Sequence, residues 1–107
     1  MLAVVAIDDS FIVVDKPSGL LSVPGRGPDK QDCLSARVQR EIPDALIVHR
    51  LDMETSGLMV FGRGIEAQRA LGRAFEQRRV SKRYEAVING LLASDNGTID
   101  LPLICDW

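Results

Sequence analysis

The sequence has few of the features that most readily announce a protein class. It contains two cysteines, Cys33 and Cys105, 72 positions apart and outside any CxxC pattern. Neither a disulfide framework nor a zinc site finds support, and a reducing cytoplasm is the expected setting. No apolar run approaches the roughly 20 residues that a membrane-spanning helix requires. The opening Met1-Leu2-Ala3-Val4-Val5-Ala6-Ile7 is apolar but short, lacks a basic leader and runs into Asp8-Asp9. That pattern argues against a signal peptide and predicts a buried strand. Internal repeats, low-complexity tracts and interdomain linkers are also missing. At 107 residues the chain has room for one small domain, which buries only about two-thirds of its unfolded surface.

The charge is unevenly spread. The whole chain carries −2, yet residues 63–83 hold seven basic residues (Arg63, Arg69, Arg73, Arg78, Arg79, Lys82, Arg83) against two acidic ones, Glu66 and Glu76. A local excess of +5 suits a phosphate-bearing partner, since local sign matters more than the average. A solvated helix face accounts for the same residues on charge alone.

Along the chain, Phe11–Asp15 reads as a strand paired with Val4–Ile7 through the turn-forming Asp8-Asp9-Ser10. Lys16-Pro17-Ser18-Gly19 breaks the pattern, and a turn-rich loop follows through Pro28. Asp32 is placed to cap a helix whose apolar residues Leu34, Val38 and Ile42 recur four apart. After Ile47-Val48 a charged insertion interrupts an apolar segment that resumes as a buried strand at Leu58–Phe61. Ala67–Arg79 reads as the longest helix, with an Ala67/Leu71/Phe75 stripe and a basic Arg69/Arg73 stripe. A strand at Arg83–Ile88 is expected before the Asn89-Gly90 turn, and another at Thr98–Leu101 after Asn96-Gly97. This order is no βαβα alternation. It predicts an α+β fold, a mixed, largely antiparallel sheet carrying two helices. The closing Leu103-Ile104-Cys105-Asp106-Trp107 is apolar and has no terminator, which suggests an interrupted domain.

The charged insertion is the candidate site. His49-Arg50-Leu51-Asp52-Met53-Glu54-Thr55-Ser56-Gly57 gathers an imidazole, a guanidinium, two carboxylates and two hydroxyls. On an extended segment Arg50 and Asp52 point to the same side, and a nearby cation keeps a carboxylate ionised, as a nucleophile or base must be. The plain alternative is a surface turn in which Asp52 and Thr55 satisfy backbone groups.

His49-Arg50-Leu51-Asp52 followed by Thr55-Ser56-Gly57 matches the HRLDxxTSG signature of the RluA-type pseudouridine synthases, and the chain resembles that family on both sides of it. Ile12-Val13-Val14-Asp15-Lys16-Pro17-Ser18-Gly19-Leu20 is similar to the family's KPSGL-containing segment, and Lys82-Arg83-Tyr84-Glu85-Ala86 to its K-x-Y-x-A motif. Leu21–Arg26 and Asp100–Trp107 resemble the subgroup acting on large-subunit (23S) rRNA and a tRNA anticodon stem-loop. The resemblance implies half of the pseudouridine synthase fold and makes Asp52 the catalytic aspartate. It makes Arg50 the arginine that enters the space left by a flipped nucleotide, and Tyr84 the catalytic tyrosine that stacks on the target uracil and is implicated in removing its C5 proton. His49 matches the motif as a structural or RNA-contacting residue, and Arg69 and Arg73 become a phosphate-tracking surface. Lys16, Pro17 and Gly19 would shape the loop beside the cleft.

In such a reaction uridine loses its N1–C1′ bond, turns while held, and rejoins through C5. One ionised carboxylate starts it, either by attacking the sugar or by removing a sugar proton. The base must leave its stack to react, and an aromatic platform holds it while it turns. Because the uracil anion is recaptured, the second carboxylate of ordinary glycoside hydrolysis is not required, and Glu54 receives no role. No metal or other cofactor is implied; the partner is RNA.

The family's later G-R-S/T-H-Q-L/I-R motif has no match in residues 1–107. The chain is therefore expected to be the N-terminal part of a catalytic domain, inactive alone and prone to self-association through exposed edges. Two other readings stay open. Gly62-Arg63-Gly64-Ile65-Glu66-Ala67 fits the G-x-G-x-x-A pattern of dinucleotide-binding proteins, and a truncated synthase could serve as a non-catalytic RNA-binding or assembly module.

Overall fold

The computed structural model describes residues 2–103. Four strands form one antiparallel sheet in the order β1-β2-β4-β3: β1 Val4–Ile7, β2 Phe11–Lys16, β3 Ala45–Ile47 and β4 Gly57–Arg63. Two helices, α1 (Leu34–Glu41) and α2 (Ile65–Glu76), complete the α+β fold with a short 3₁₀ turn at Pro28–Lys30.

The β1–β2 hairpin closes as expected, and Asp8 explains why. Its Oδ1 accepts the amides of Ser10 at 2.7 Å and Phe11 at 3.0 Å, an Asx turn that substitutes for backbone pairing at the reversal. Strand β2 alternates strictly, burying Ile12, Val14 and Lys16 on one face. Ile12 pairs with Phe61 and Val14 with Met59 in β4. These side chains, with Ala45, Leu20, and Leu34 and Val38 of α1, make the core.

Strand β1 departs from the expected burial. Val4, Val5 and Ile7 are all exposed, because β1 is an edge strand with β2 as its one neighbour among the described residues and a register shift between Val4 and Ala6. Apolar composition marked the strand correctly but not what would cover it.

Helix α1 begins at the expected place by another device. Cys33, buried, holds the N-cap position without a side-chain cap, and the amides of Leu34 and Ser35 donate to the carbonyls of Leu21 (2.7 Å) and Ser22 (3.1 Å). Asp32 turns instead to Arg37, meeting Nε at 3.0 Å and Nη2 at 2.8 Å. The helix thus docks on the 20–22 loop, which matters for the site.

Helix α2 starts two residues before, and ends three residues before, the expected Ala67–Arg79. The stop is a Schellman motif: Arg79 N–H donates to Ala74 O and Arg78 N–H to Phe75 O, with Arg78 left-handed at φ 55°. Glycine is the usual residue there, so the sequence carried no stop signal. The expected strands at Arg83–Ile88 and Thr98–Leu101 are not strands among the described residues. Their backbones have no ladder partner, and Val87, Ile88, Ile99 and Leu101 are exposed. The Asn89-Gly90 signal marks a bend with Gly90 at φ 92° but joins no hairpin. Cys105 and the rest of 104–107 lie outside the described residues.

Gly62 and Gly64 answer the dinucleotide-binding reading. An added Cβ at Gly62 would meet the backbone of Gln68 at 2.7 and 2.8 Å, so the residue is small to let α2 cross β4. The sheet is antiparallel throughout, and the parallel βαβ unit that such a site requires is absent among the described residues. Gly62→Ala is expected to destabilise the fold by about 1–3 kcal/mol, the usual range for overpacking, read as a lowered urea midpoint. The apolar side chains left exposed on β1 and residues 84–103 predict concentration-dependent association of the 107-residue chain, measured by sedimentation velocity.

Candidate active site

The HRLDxxTSG segment connects β3 to β4 on the rim of the sheet, and the 16–22 loop holds it there. Lys16 is fully buried at the end of β2. Its ammonium donates to Pro17 O at 3.0 Å, Leu20 O at 2.6 Å and Met53 O at 3.0 Å, so all three donors of the charged head are satisfied. Burial pushes the Lys16 amine below its ordinary range, and the carboxylates of Glu54 and Asp52 pull it back up. Gly19 N–H adds a second bond to Met53 O at 2.8 Å, and Ser18 Oγ donates to Glu54 O at 2.7 Å. Ser22 Oγ donates to Leu51 O at 2.5 Å and accepts from Leu51 N–H at 3.0 Å. Thr55 N–H closes the turn onto Asp52 O at 3.0 Å.

Asp52 therefore sits in a turn whose neighbours Leu51, Met53 and Glu54 are each bonded to the preceding loop, while Asp52 itself is exposed. The surface-turn alternative is right about the backbone, but it does not explain why a turn on the rim is tied down by a buried ammonium and a buried serine. Arg50 is exposed, and the ion pairs among the described residues, Arg37–Asp32 and Arg63–Asp44, do not include it. The charges of Glu54 and Asp52 act on the buried Lys16 ammonium, a cation that the sequence reading did not place beside Asp52.

Beside the turn an open cleft of about 680 Å³ lies over the sheet face opposite the core. His49, Glu54, Thr55, Phe75 and Tyr84 are among its walls. His49 and Tyr84 are thus brought together, with Asp52 and Arg50 in the adjoining turn but not lining the cleft. Tyr84 is 62% exposed, so its ring is open to solvent. Arg69 and Arg73 are not brought in; they border a separate shallow surface with Gly72 and Glu76 on α2.

His49 is committed to the fold. Its Nε2 accepts the Val60 amide at 3.1 Å, which requires that nitrogen to be unprotonated, and its ring stacks on Phe75 with centroids 4.4 Å apart. Burial lowers its pKa, helped by the nearby Lys82 charge. Lys82 itself lies over the other aromatic of the pair, 5.7 Å from the Phe75 centroid. Sequence reasoning placed Lys16 only as a shaper of the loop and passed over Ser22 and Phe75. The alternating burial of β2, which puts Lys16 in register with Ile12 and Val14, was the available signal for the first.

The chain matches the RNA pseudouridylate synthase family over residues 10–105. The chain belongs to that family. Among synthase relatives, the dual-specificity RNA pseudouridine synthase RluA of Vibrio vulnificus is 52% identical over 94% of this chain and 40% of its own length. The Yersinia pestis RluA is 54% identical over 94% and 48%, and that of Escherichia coli K12 is 48% identical over 99% and 48%. The chain thus spans somewhat under half the length of the curated relatives it matches. The fold is similar to human RNA pseudouridylate synthase domain containing 4, with a TM-score of 0.59 over 72% of this chain and 30% of that one at 24% identity. No helix among the described residues is long and apolar enough to cross a membrane, and no group of three or more His, Cys, Asp and Glu among them is placed to hold a metal.

The depressed His49 pKa has a sign. Between the ordinary histidine value of 6.5 and the lower folded value, the unfolded chain binds more protons than the folded one. Stability therefore falls as pH drops through that window and levels off below it. His49→Gln, whose amide oxygen can still accept from Val60, is expected to flatten this dependence. The readout is the change in urea midpoint between about pH 7.5 and about pH 5.5 in variant and parent.

Proposed function

We propose that this chain is the aspartate-bearing part of a cytoplasmic RNA pseudouridine synthase, in which Asp52 converts uridine to pseudouridine. The observation that carries the reading is the turn itself. The family signature lies in a segment whose backbone is immobilised from the 16–22 loop, while its one aspartate stays accessible beside a cleft walled by Tyr84. A carboxylate held on a rigid frame and free at its tip suits a step that needs orientation more than a special environment.

In this reading the target uridine is flipped into the cleft and Arg50, exposed next to Asp52, fills the gap it leaves. Asp52 either attacks C1′ or removes a sugar proton, the N1–C1′ bond breaks, and the uracil turns against Tyr84. C5 then bonds to C1′, displacing the Asp52 carboxylate from the sugar carbon or with the sugar proton returned, and the C5 proton passes to solvent while N1 takes one up. Arg69 and Arg73, away from the cleft, track the phosphates of the same RNA. The substrates follow from the resemblance and from the dual-specificity relatives: folded RNA loops with splayed bases, in 23S rRNA, a tRNA anticodon stem-loop, or both. Activity is assigned to the protein with the counterpart of the relatives' remaining half, and residues 1–107 alone are proposed to be inactive.

The basic residues of 63–83 favour one second reading, an RNA-binding or assembly module without catalysis. Asp52→Ala separates the two. For a synthase, pseudouridine formation on a stem-loop RNA should fall by at least about 10³-fold, the scale on which removal of an essential group acts, while RNA affinity stays near that of the parent. For a binding module there is no isomerisation to lose. The parent protein's activity, followed by release of tritium from C5, decides.

A further inference from the structure

Two peptide planes determine where the Asp52 side chain starts. The plane that follows carries Asp52 O, which accepts Thr55 N–H at 3.0 Å inside the turn. The plane that precedes carries Leu51 O, and its restraint is Ser22. One hydroxyl, on a residue 3% exposed, donates to Leu51 O at 2.5 Å and accepts Leu51 N–H at 3.0 Å. Gripping both backbone groups of a single residue holds its dihedrals, and hence the direction in which the chain enters Asp52. Ser22 is itself fixed, because its carbonyl receives the Ser35 amide of α1 at 3.1 Å and its hydroxyl lies 3.3 Å from Met59 Sδ in the core.

We infer that Ser22 is a positioning residue for the proposed isomerisation: its hydroxyl sets the Asp52 Cα–Cβ direction before RNA arrives. It touches no reacting atom in this account and acts only through Leu51. The inference rests on the synthase reading.

The test uses the protein as its gene encodes it, on a stem-loop RNA that the parent isomerises. Ser22→Ala, Ser22→Cys and Asp52→Ala are compared by single-turnover rate at saturating RNA, by RNA Kd and by amide hydrogen exchange. Ser22→Ala should slow the single-turnover rate roughly 10- to 100-fold, the scale of a misplaced reacting group, with Kd within about twofold. The Leu51 amide should exchange faster while that of Met59 keeps its protection. Ser22→Cys, similar in size and a weaker hydrogen-bonding group, should fall between. A parental rate in Ser22→Ala overturns the inference, as does a rate loss matched by loss of RNA affinity or of core protection. If Ser22→Ala does not unfold cooperatively, Ser22→Cys decides: a slowed rate with an intact core supports the role, and a parental rate with a freely exchanging Leu51 amide overturns it. An inactive Asp52→Ala beside a fully active Ser22→Ala removes only the role of Ser22. A parent that isomerises nothing, or an Asp52→Ala that matches the parent, removes the synthase reading and this inference with it.

Discussion

The arrangement depends on one buried ammonium. Lys16 ends β2 on the core-facing side of the sheet, where a charge without partners would be untenable. Its three protons therefore recruit carbonyls, and those belong to the loop that follows β2 and to the turn that precedes β4. Two segments 37 positions apart are thereby pulled onto one point. Any arrangement that moved the 52–55 turn outward would take Met53 O from the buried ammonium and leave one of its three protons without a partner, a cost of about 1–3 kcal/mol.

From that point order propagates in both directions. Leu21 and Ser22, next along the loop, accept the first amides of α1, so the helix that roofs the core also buttresses the loop. Ser18, Gly19 and Ser22 then bind Glu54, Met53 and Leu51. Asp52, between them, has an exposed side chain on a restrained backbone. The other wall of the cleft is built differently: Phe75, stacked on His49, and the segment 80–85 form it. The hydrogen-bonded turn that carries Asp52 thus adjoins a cleft whose aromatic wall is open to solvent.

Much of this could be read from residue order because the forces involved are local. The hairpin at Asp8, the alternation of β2, the four-residue spacing of α1 and the crowding of functional groups at 49–57 each depend on neighbours within a few positions. Failures came where distant groups decided. Asp32 has the chemistry of a cap, but the carbonyls of Leu21 and Ser22 took that place and left it to Arg37. Residues 83–88 and 98–101 have strand composition, yet composition cannot supply the partner that a ladder needs. The end of α2 was missed because Arg78 adopts the left-handed conformation that glycine usually signals. The separation of Arg69 and Arg73 from the cleft follows from which face of α2 crosses Gly62, where an added Cβ would meet the Gln68 backbone at 2.7 Å.

The sequence by itself determined the family and the turn that bears Asp52, the proposed acid, since a signature motif and its short-range geometry are written in consecutive residues. Only the tertiary structure decided what holds that acid. The buried Lys16 ammonium lies within reach of the Asp52 charge, His49 serves as a neutral acceptor for Val60, and Ser22 grips Leu51 from 29 positions away. Hydrogen bonds and burial are relations between atoms brought together by the fold, and their partners are set by the register of β2 against β4, which the spacing of residues in either strand does not specify.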